Sequence, residues 1–335
     1  MNIDLTIVWA FVIAFAVFAY VVMDGFDLGI GIIFPALGRG AERDKAMNSV
    51  APVWDGNETW LVLGGGGLLA AFPLAYAIIL PAIYPPIIAM LLGLVLRGVA
   101  FEGRWRDPNH QPFWDFAFTA GSFVAAFAQG VTLGALLQGV EVEGRAYAGG
   151  WLDWLSAYSV LTGIGTVIGY GLLGSTWLLM KTEGAVQDHA FRMSWKLFPA
   201  TLVALGAVSL YTPFLEAEYF ARWFTFPSVL FSAQVPLLVA VISFLLFRSL
   251  QKRHDYAPFL LTLGLFLLGM IGLGISMFPY VVPDEVTIWD AATHPSSQAF
   301  MLVGTLFIVP LIIGYTAWAY WVFRGKVGDL SLIHI

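Results

Sequence analysis

Nine apolar runs, each near the length of a membrane-crossing helix, leave this chain little room for any other architecture. A spanning helix needs about 20 predominantly apolar residues. Such helices are expected at about 5–33, 57–73, 76–97, 114–138, 156–180, 196–212, 227–248, 257–279 and 299–323. Of the 335 residues, 59% are hydrophobic and 11% charged, where a soluble domain carries about 25% charged. The expected fold is an all-α polytopic membrane protein, a single transmembrane domain over residues 1–335. The second run is short and opens on polar residues, so eight helices is the competing count.

The loops decide between the counts. With nine helices, basic loops alternate without a break. Arg39, Arg43, Lys45, Arg97, Arg104, Arg106, Lys181, Arg192, Lys196, Arg248, Lys252, Arg253, Arg324 and Lys326 fall on one side, and only Arg145 and Arg222 on the other. Dropping the second helix scrambles this pattern. The positive-inside rule then puts the N-terminus outside and the C-terminus in the cytoplasm. Met1-Asn2-Ile3-Asp4 runs straight into the first apolar segment with no basic start and no small-residue cleavage site, so this segment is read as a retained helix. Scattered basic residues give nucleic-acid binding no support. The absence of cysteine excludes disulfides, thiolate metal ligands and cysteine catalysis.

Four carboxylates interrupt the apolar pattern. Asp24 and Asp27 lie near the cytoplasmic end of the first expected helix, and Asp55 and Glu58 at the cytoplasmic start of the second. An acid at membrane depth is costly and marks a functional site by default. The short loop between these helices lets all four converge on one cytoplasm-facing vestibule. Arg97, at the cytoplasmic end of the third helix, is the nearest counter-charge. Gly64 to Gly67 point to close approach of a neighbouring helix, with a ligand against bare backbone as the other reading. Pro81, Pro85 and Pro86 predict a kink. Trp105, Trp114, Trp151, Trp154, Trp223, Trp318, Tyr320 and Trp321 read mostly as interface anchors. A faint echo of Trp54-Asp55-Gly56 at Trp289-Asp290-Ala291 is too weak to establish a repeat.

The histidines, His110, His189, His254, His294 and His334, all fall in expected loops or the tail, which makes the chain a poor haem ligand by itself. Met23, Met90, Met180, Met270, Met277 and Met301 read as packing. No dinucleotide fingerprint, phosphate loop or metal-binding histidine pair is present. Two readings of the acids stay open. Buried carboxylates suit a proton relay; equally, Asp24 and Asp55 suit helix caps or ion pairs with Arg97, Lys45 or Arg43. Asp284, Glu285 and Asp290 read as a solvated outer loop. A proton-coupled secondary transporter fits the composition as well as an enzyme subunit does.

Several stretches carry a resemblance. Asp24-Gly25-Phe26-Asp27-Leu28-Gly29, the run from Asn48 through Trp54-Asp55-Gly56-Asn57-Glu58-Thr59-Trp60 to Leu61, and Ser276-Met277-Phe278-Pro279-Tyr280 are similar to signature stretches of subunit II of cytochrome bd quinol oxidases. Trp289-Asp290-Ala291 and Tyr315 to Trp321 agree, so the likeness runs from about residue 5 to 328. Short hydrophilic loops and the overall length look closest to the cyanide-insensitive branch. The resemblance implies two four-helix bundles plus one extra helix, paired with a haem-bearing subunit I in the bacterial cytoplasmic membrane. That partner is expected to hold two b-type haems and one d-type haem, or a third b-type haem in some branches. The complex is expected to oxidise ubiquinol or menaquinol and reduce oxygen to water. The resemblance makes Asp55 the first choice as relay acid, Asp27 and Asp24 the second, with Glu58 beside them and Arg97 as charge partner. No residue is identified for the structural quinone that some members hold; Trp54, Asn57 and Trp60 are placed near the subunit interface. A small accessory subunit is left open as a partner. Val53 stands where some members have histidine, which leaves Asp55 without a second titrating neighbour. The tail Ser331 to Ile335 does not look like the family ending.

Overall fold

The computed structural model describes residues 4–328; the atypical tail, and His334 in it, lie outside them. Helix α1 (Leu5–Ile33) is followed by short α2 (Ala41–Asn48), α3 (Trp54–Ala71), α4 (Pro73–Arg106) and α5 (Gln111–Leu137). A two-residue hairpin, β1 (Val142–Glu143) with β2 (Ala146–Tyr147), precedes α6 (Ala157–Lys181) and α7 (Ala185–Tyr211). Then come α8 (Ala217–Phe224), α9 (Val229–Ser232), α10 (Gln234–Gln251) and α11 (Ala257–Met277). A second hairpin, β3 (Tyr280–Val282) with β4 (Val286–Thr287), leads through α12 (Ile288–Ala291) to α13 (Pro295–Val322).

Among the described residues eight helices are long and apolar enough to cross a membrane. The expected second span is α3, 18 residues that begin with Asp55, Asn57, Glu58 and Thr59. Helices α1, α3, α4 and α5 pack as one group, α6, α7, α10 and α11 as another, joined where α1 and α5 meet α6, and α13 leans on α1. The kink falls at Ile83, whose backbone (φ −119°, ψ 15°) leaves the helical region between Pro81 and Pro85; each proline lacks the N–H that would close a turn.

The groups meet at a backbone-to-backbone crossing of α1 and α6. A Cβ on Gly29 would lie 1.9 Å from the Tyr170 carbonyl oxygen, and one on Gly174 2.4 Å from the Gly29 carbonyl carbon. Neither neighbour can rotate away. Gly29→Ala is therefore expected to push the bundles apart and destabilise the chain by about 3 kcal/mol, read as a lower unfolding midpoint in detergent. In the Gly64–Gly67 run, by contrast, only Gly64 and Gly67 face α1, against Val17 and Ile13, while Gly65 and Gly66 are open.

Two segments read as loops are helical. α8 is a short amphipathic helix lying on α11. α7 begins at Ala185, well before the expected 196, because its polar first turns pack on α2, where His189 Nδ1 lies 2.7 Å from Glu42. Ion pairs of Arg43 with Asp115, Arg104 with Asp44, Arg253 with Asp188 and Lys326 with Asp255 gather these basic segments at one end of the bundle. At the other end Glu216 faces Asp284. Partial burial first, and the Asp284 carboxyl second, hold the Glu216 carboxyl above the usual range. A raised carboxyl stabilises the fold fully below its unfolded value and loses that contribution as pH rises through the folded one. The unfolding temperature is expected to fall as pH rises past 4.5, and Glu216→Gln to remove that part of the slope.

Candidate functional site: a buried acid–guanidinium cluster

On α1, Asp24 and Asp27 stand three residues apart, a spacing that puts both on one helix face. Both are fully buried; α1 packs on α3, and α4 reaches this face through Arg97. α4 supplies Arg97, also 0% exposed. Its Nη1 donates to Asp24 Oδ1 at 2.6 Å, and its Nη2 contacts Glu58 Oε1 from α3. The guanidinium lies 5.8 Å from the Trp54 ring, which stacks on Phe101 with centroids 4.8 Å apart. One cation thus serves two carboxylates at once.

Asp27 is reached from the other side. Asn57 Nδ2 donates to Asp27 Oδ2 at 2.7 Å and to the Met23 carbonyl at 3.3 Å. The Tyr320 hydroxyl of α13 donates to Asn57 Oδ1 at 2.9 Å. One turn along α1, Tyr20 accepts from Gln129 Nε2, and Tyr170 donates to Gln129 Oε1, both at 2.7 Å. Asp27 Oδ1 is buried with no hydrogen-bond partner among the described residues, and the Tyr20 hydroxyl faces Asp24. Such groups are rare and call for an explanation. Three carboxyls stand around one guanidinium that contacts only Asp24 and Glu58, so acid exceeds base in a desolvated pocket.

Of the sequence candidates, Asp24, Asp27, Glu58 and Arg97 are brought together. Asp55, in the first turn of α3, is exposed on the outer face of the chain and makes no bond to the cluster. Glu58, with 27% of its side chain exposed, stands between it and the buried acids. Asp24 pairs with Arg97; Arg43 pairs instead with Asp115 at 2.6 Å, an acid shared with Arg104. Trp54 reaches the surface and lines a groove of about 490 Å³ with Gly98, Glu102 and Arg106. Asn57 and Trp60 are buried inside the chain. Sequence reasoning missed Tyr320, taken for an interface anchor, and Gln129; no short-range signal marks either, because their partners lie in other helices.

The described histidines do not suit a haem. His110 is exposed beside Asp107, His189 meets Glu42 in the first turns of α7 rather than in a loop, His254 is exposed, and the His294 ring accepts from Ser296 N at the start of α13. No group of three or more potential metal ligands occurs among the described residues.

Fold and site together define a multi-pass membrane protein with a buried ionisable cluster between its helices. The family described as cytochrome bd terminal oxidase subunit II matches residues 5–323, and the chain belongs to it. Among its relatives, the cytochrome bd-I ubiquinol oxidase subunit 2 of Escherichia coli K12 is 30% identical, over 96% of this chain and 95% of its own. The cytochrome bd ubiquinol oxidase subunit 2 of Bacillus subtilis is 29% identical, over 95% and 96%. The bd oxidase structure from Geobacillus thermodenitrificans shares the fold with a TM-score of 0.77 at 16% identity, covering 96% of this chain and 99% of the solved one.

Proposed function

We propose that this chain is the haem-free subunit of a quinol:oxygen oxidoreductase, pairs with a haem-bearing subunit I, and carries cytoplasmic protons toward the site of oxygen reduction. Support for the pairing comes from family membership and from the outer face of α3 and α4. There Asp55 shares the surface with Val62, Gly65, Gly66, Val95 and Val99. A carboxylate facing lipid is costly, and a glycine-rich stripe admits a close helix, so a partner subunit covers this face in the assembled oxidase. Haem and oxygen chemistry belong to that partner. The basic end faces the cytoplasm by the positive-inside rule.

The observation that carries the proton-handling part is the surplus of carboxyls in the cluster over the single Arg97, with Asp27 keeping an unpartnered buried oxygen. Two charges of one sign left unbalanced in low dielectric are prohibitively costly, so a proton resides readily on this cluster. Asp55 and Glu58, on successive turns of α3, form the surface end; Asp24 and Asp27 form the buried end. The test is co-purification through a tag on this chain, a reduced-minus-oxidised spectrum, and quinol-dependent oxygen uptake. A haem-rich partner and oxygen consumption support the reading. A stable, colourless chain purified alone contradicts it and favours a transporter. Asp55→Asn is expected to slow turnover about tenfold, a smaller loss than at the buried acids, because Glu58 still opens to the surface.

A further inference from the structure

Lys181 ends α6 at the basic end of the bundle. It is buried, 6% exposed, and forms no ion pair among the described residues. Its ammonium instead donates to the Phe323 carbonyl and, at 2.8 Å, to the Gly325 carbonyl. Phe323 is the C-terminal cap of α13. A helix end of this kind carries about half a negative charge, so α13 itself offsets part of the buried positive charge. The clasp is doubled by the Val327 amide, which donates to the Lys181 carbonyl at 2.8 Å, and by Lys326, 2.5 Å from Asp255.

The clasp holds one end of α13; near the other end Gln298, its one fully buried residue, accepts from Trp9 at its carbonyl and donates to Thr6 and to the Thr293 carbonyl. Tyr320 sits one turn before the clasp and donates to Asn57. Its ring meets Trp177 edge-on, 6.2 Å between centroids, and Trp177 lies one turn before Lys181, 5.5 Å from the ammonium. Trp177 in turn stacks on Phe26 at 4.1 Å, beside Asp27. An amide has one accepting and one donating end. A hydroxyl donating to Asn57 Oδ1 fixes the Nδ2 end on Asp27; a flipped amide would turn its oxygen on the carboxylate.

We infer that Lys181 is a positioning residue for the acid cluster: by clasping the end of α13 it sets Tyr320 on Asn57, and so fixes which end of the Asn57 amide meets Asp27. This rests on the proton-delivery reading above. Lys181→Met keeps the stem and removes the donor. In the assembled oxidase it is expected to lower kcat about 3- to 30-fold, the range of couplings carried through packed networks, with the KM for quinol and the haem spectrum unchanged. Lys181→Arg, which still donates to two carbonyls, is expected to restore most of the loss. In a Tyr320→Phe background Lys181→Met is expected to add nothing. Unchanged turnover in Lys181→Met, or a loss that multiplies with that of Tyr320→Phe, overturns the inference. Should Lys181→Met not assemble, Lys181→Gln, which keeps one donor group, must show a smaller loss with the same cancellation, or the inference falls. Asp27→Asn run in parallel separates the two levels. Full turnover in Asp27→Asn sinks proton delivery itself; a loss there with none in the Lys181 variants sinks only the positioning role.

Discussion

Asp27→Asn, assembled with the partner subunit, is expected to keep its haem spectrum and lose roughly 100-fold in quinol-dependent oxygen uptake, the lower end of what a proton-transferring group contributes. The substitution is nearly isosteric. The new amide can turn its oxygen to Asn57 Nδ2 and keep the 2.7 Å bond, so the fold has no reason to fail. It also removes a charge that no cation contacts directly, which leaves stability unchanged or raised. Only the capacity to hold and release a proton is lost. Normal uptake by this variant means that Asp27 is a structural hydrogen-bond acceptor and nothing more.

Arg97→Met is expected to have the opposite profile, a large loss of stability before any question of activity arises. Arg97 and Asp24 are both 0% exposed. Removing one partner of a buried pair strands the other and costs about 3–5 kcal/mol. Here two contacting carboxylates are stranded, Asp24 and Glu58. Yield of the assembled complex and its unfolding midpoint should both drop. Arg97→Met combined with Asp24→Asn should recover part of the loss, because the fully buried charge disappears with its partner. A single variant as stable as wild type means that the cluster is already neutral without Arg97.

The helices were legible because a spanning segment must satisfy its own backbone and stay apolar for about 20 residues. Ends were legible only where polarity changes abruptly. Ala157–Lys181 lies within a residue of the expected 156–180, while α4 runs to Arg106, nine residues past its expected end at 97, because Arg97 and Arg104 look like loop residues until Asp24 and Asp115 are seen beside them. α7 starts early for the same reason: a polar first turn is indistinguishable from a loop unless its partner α2 is known. The convergence of Asp24, Asp27, Glu58 and Arg97 followed from topology alone, since alternating helices bring those ends together. The depth of each acid did not. Asp55 and Glu58 look equivalent in the sequence, yet helical rotation turns Asp55 outward and Glu58 toward Arg97. Tyr320 was invisible as a site residue because its partner Asn57 lies 263 positions away. Periodicity tells which face a residue occupies, not which helix covers it.

Proton uptake during a single turnover tests the central claim most directly. The fully reduced complex with the partner subunit is mixed with oxygen in weakly buffered solution containing a pH indicator, and haem oxidation is followed in the same trace. The account predicts that in Asp27→Asn the first electron transfer to oxygen proceeds at the wild-type rate while proton uptake slows roughly 100-fold. Proton uptake at the wild-type rate in that variant, with the haem content intact, would contradict it and leave the buried acids of this subunit as structural charge pairs.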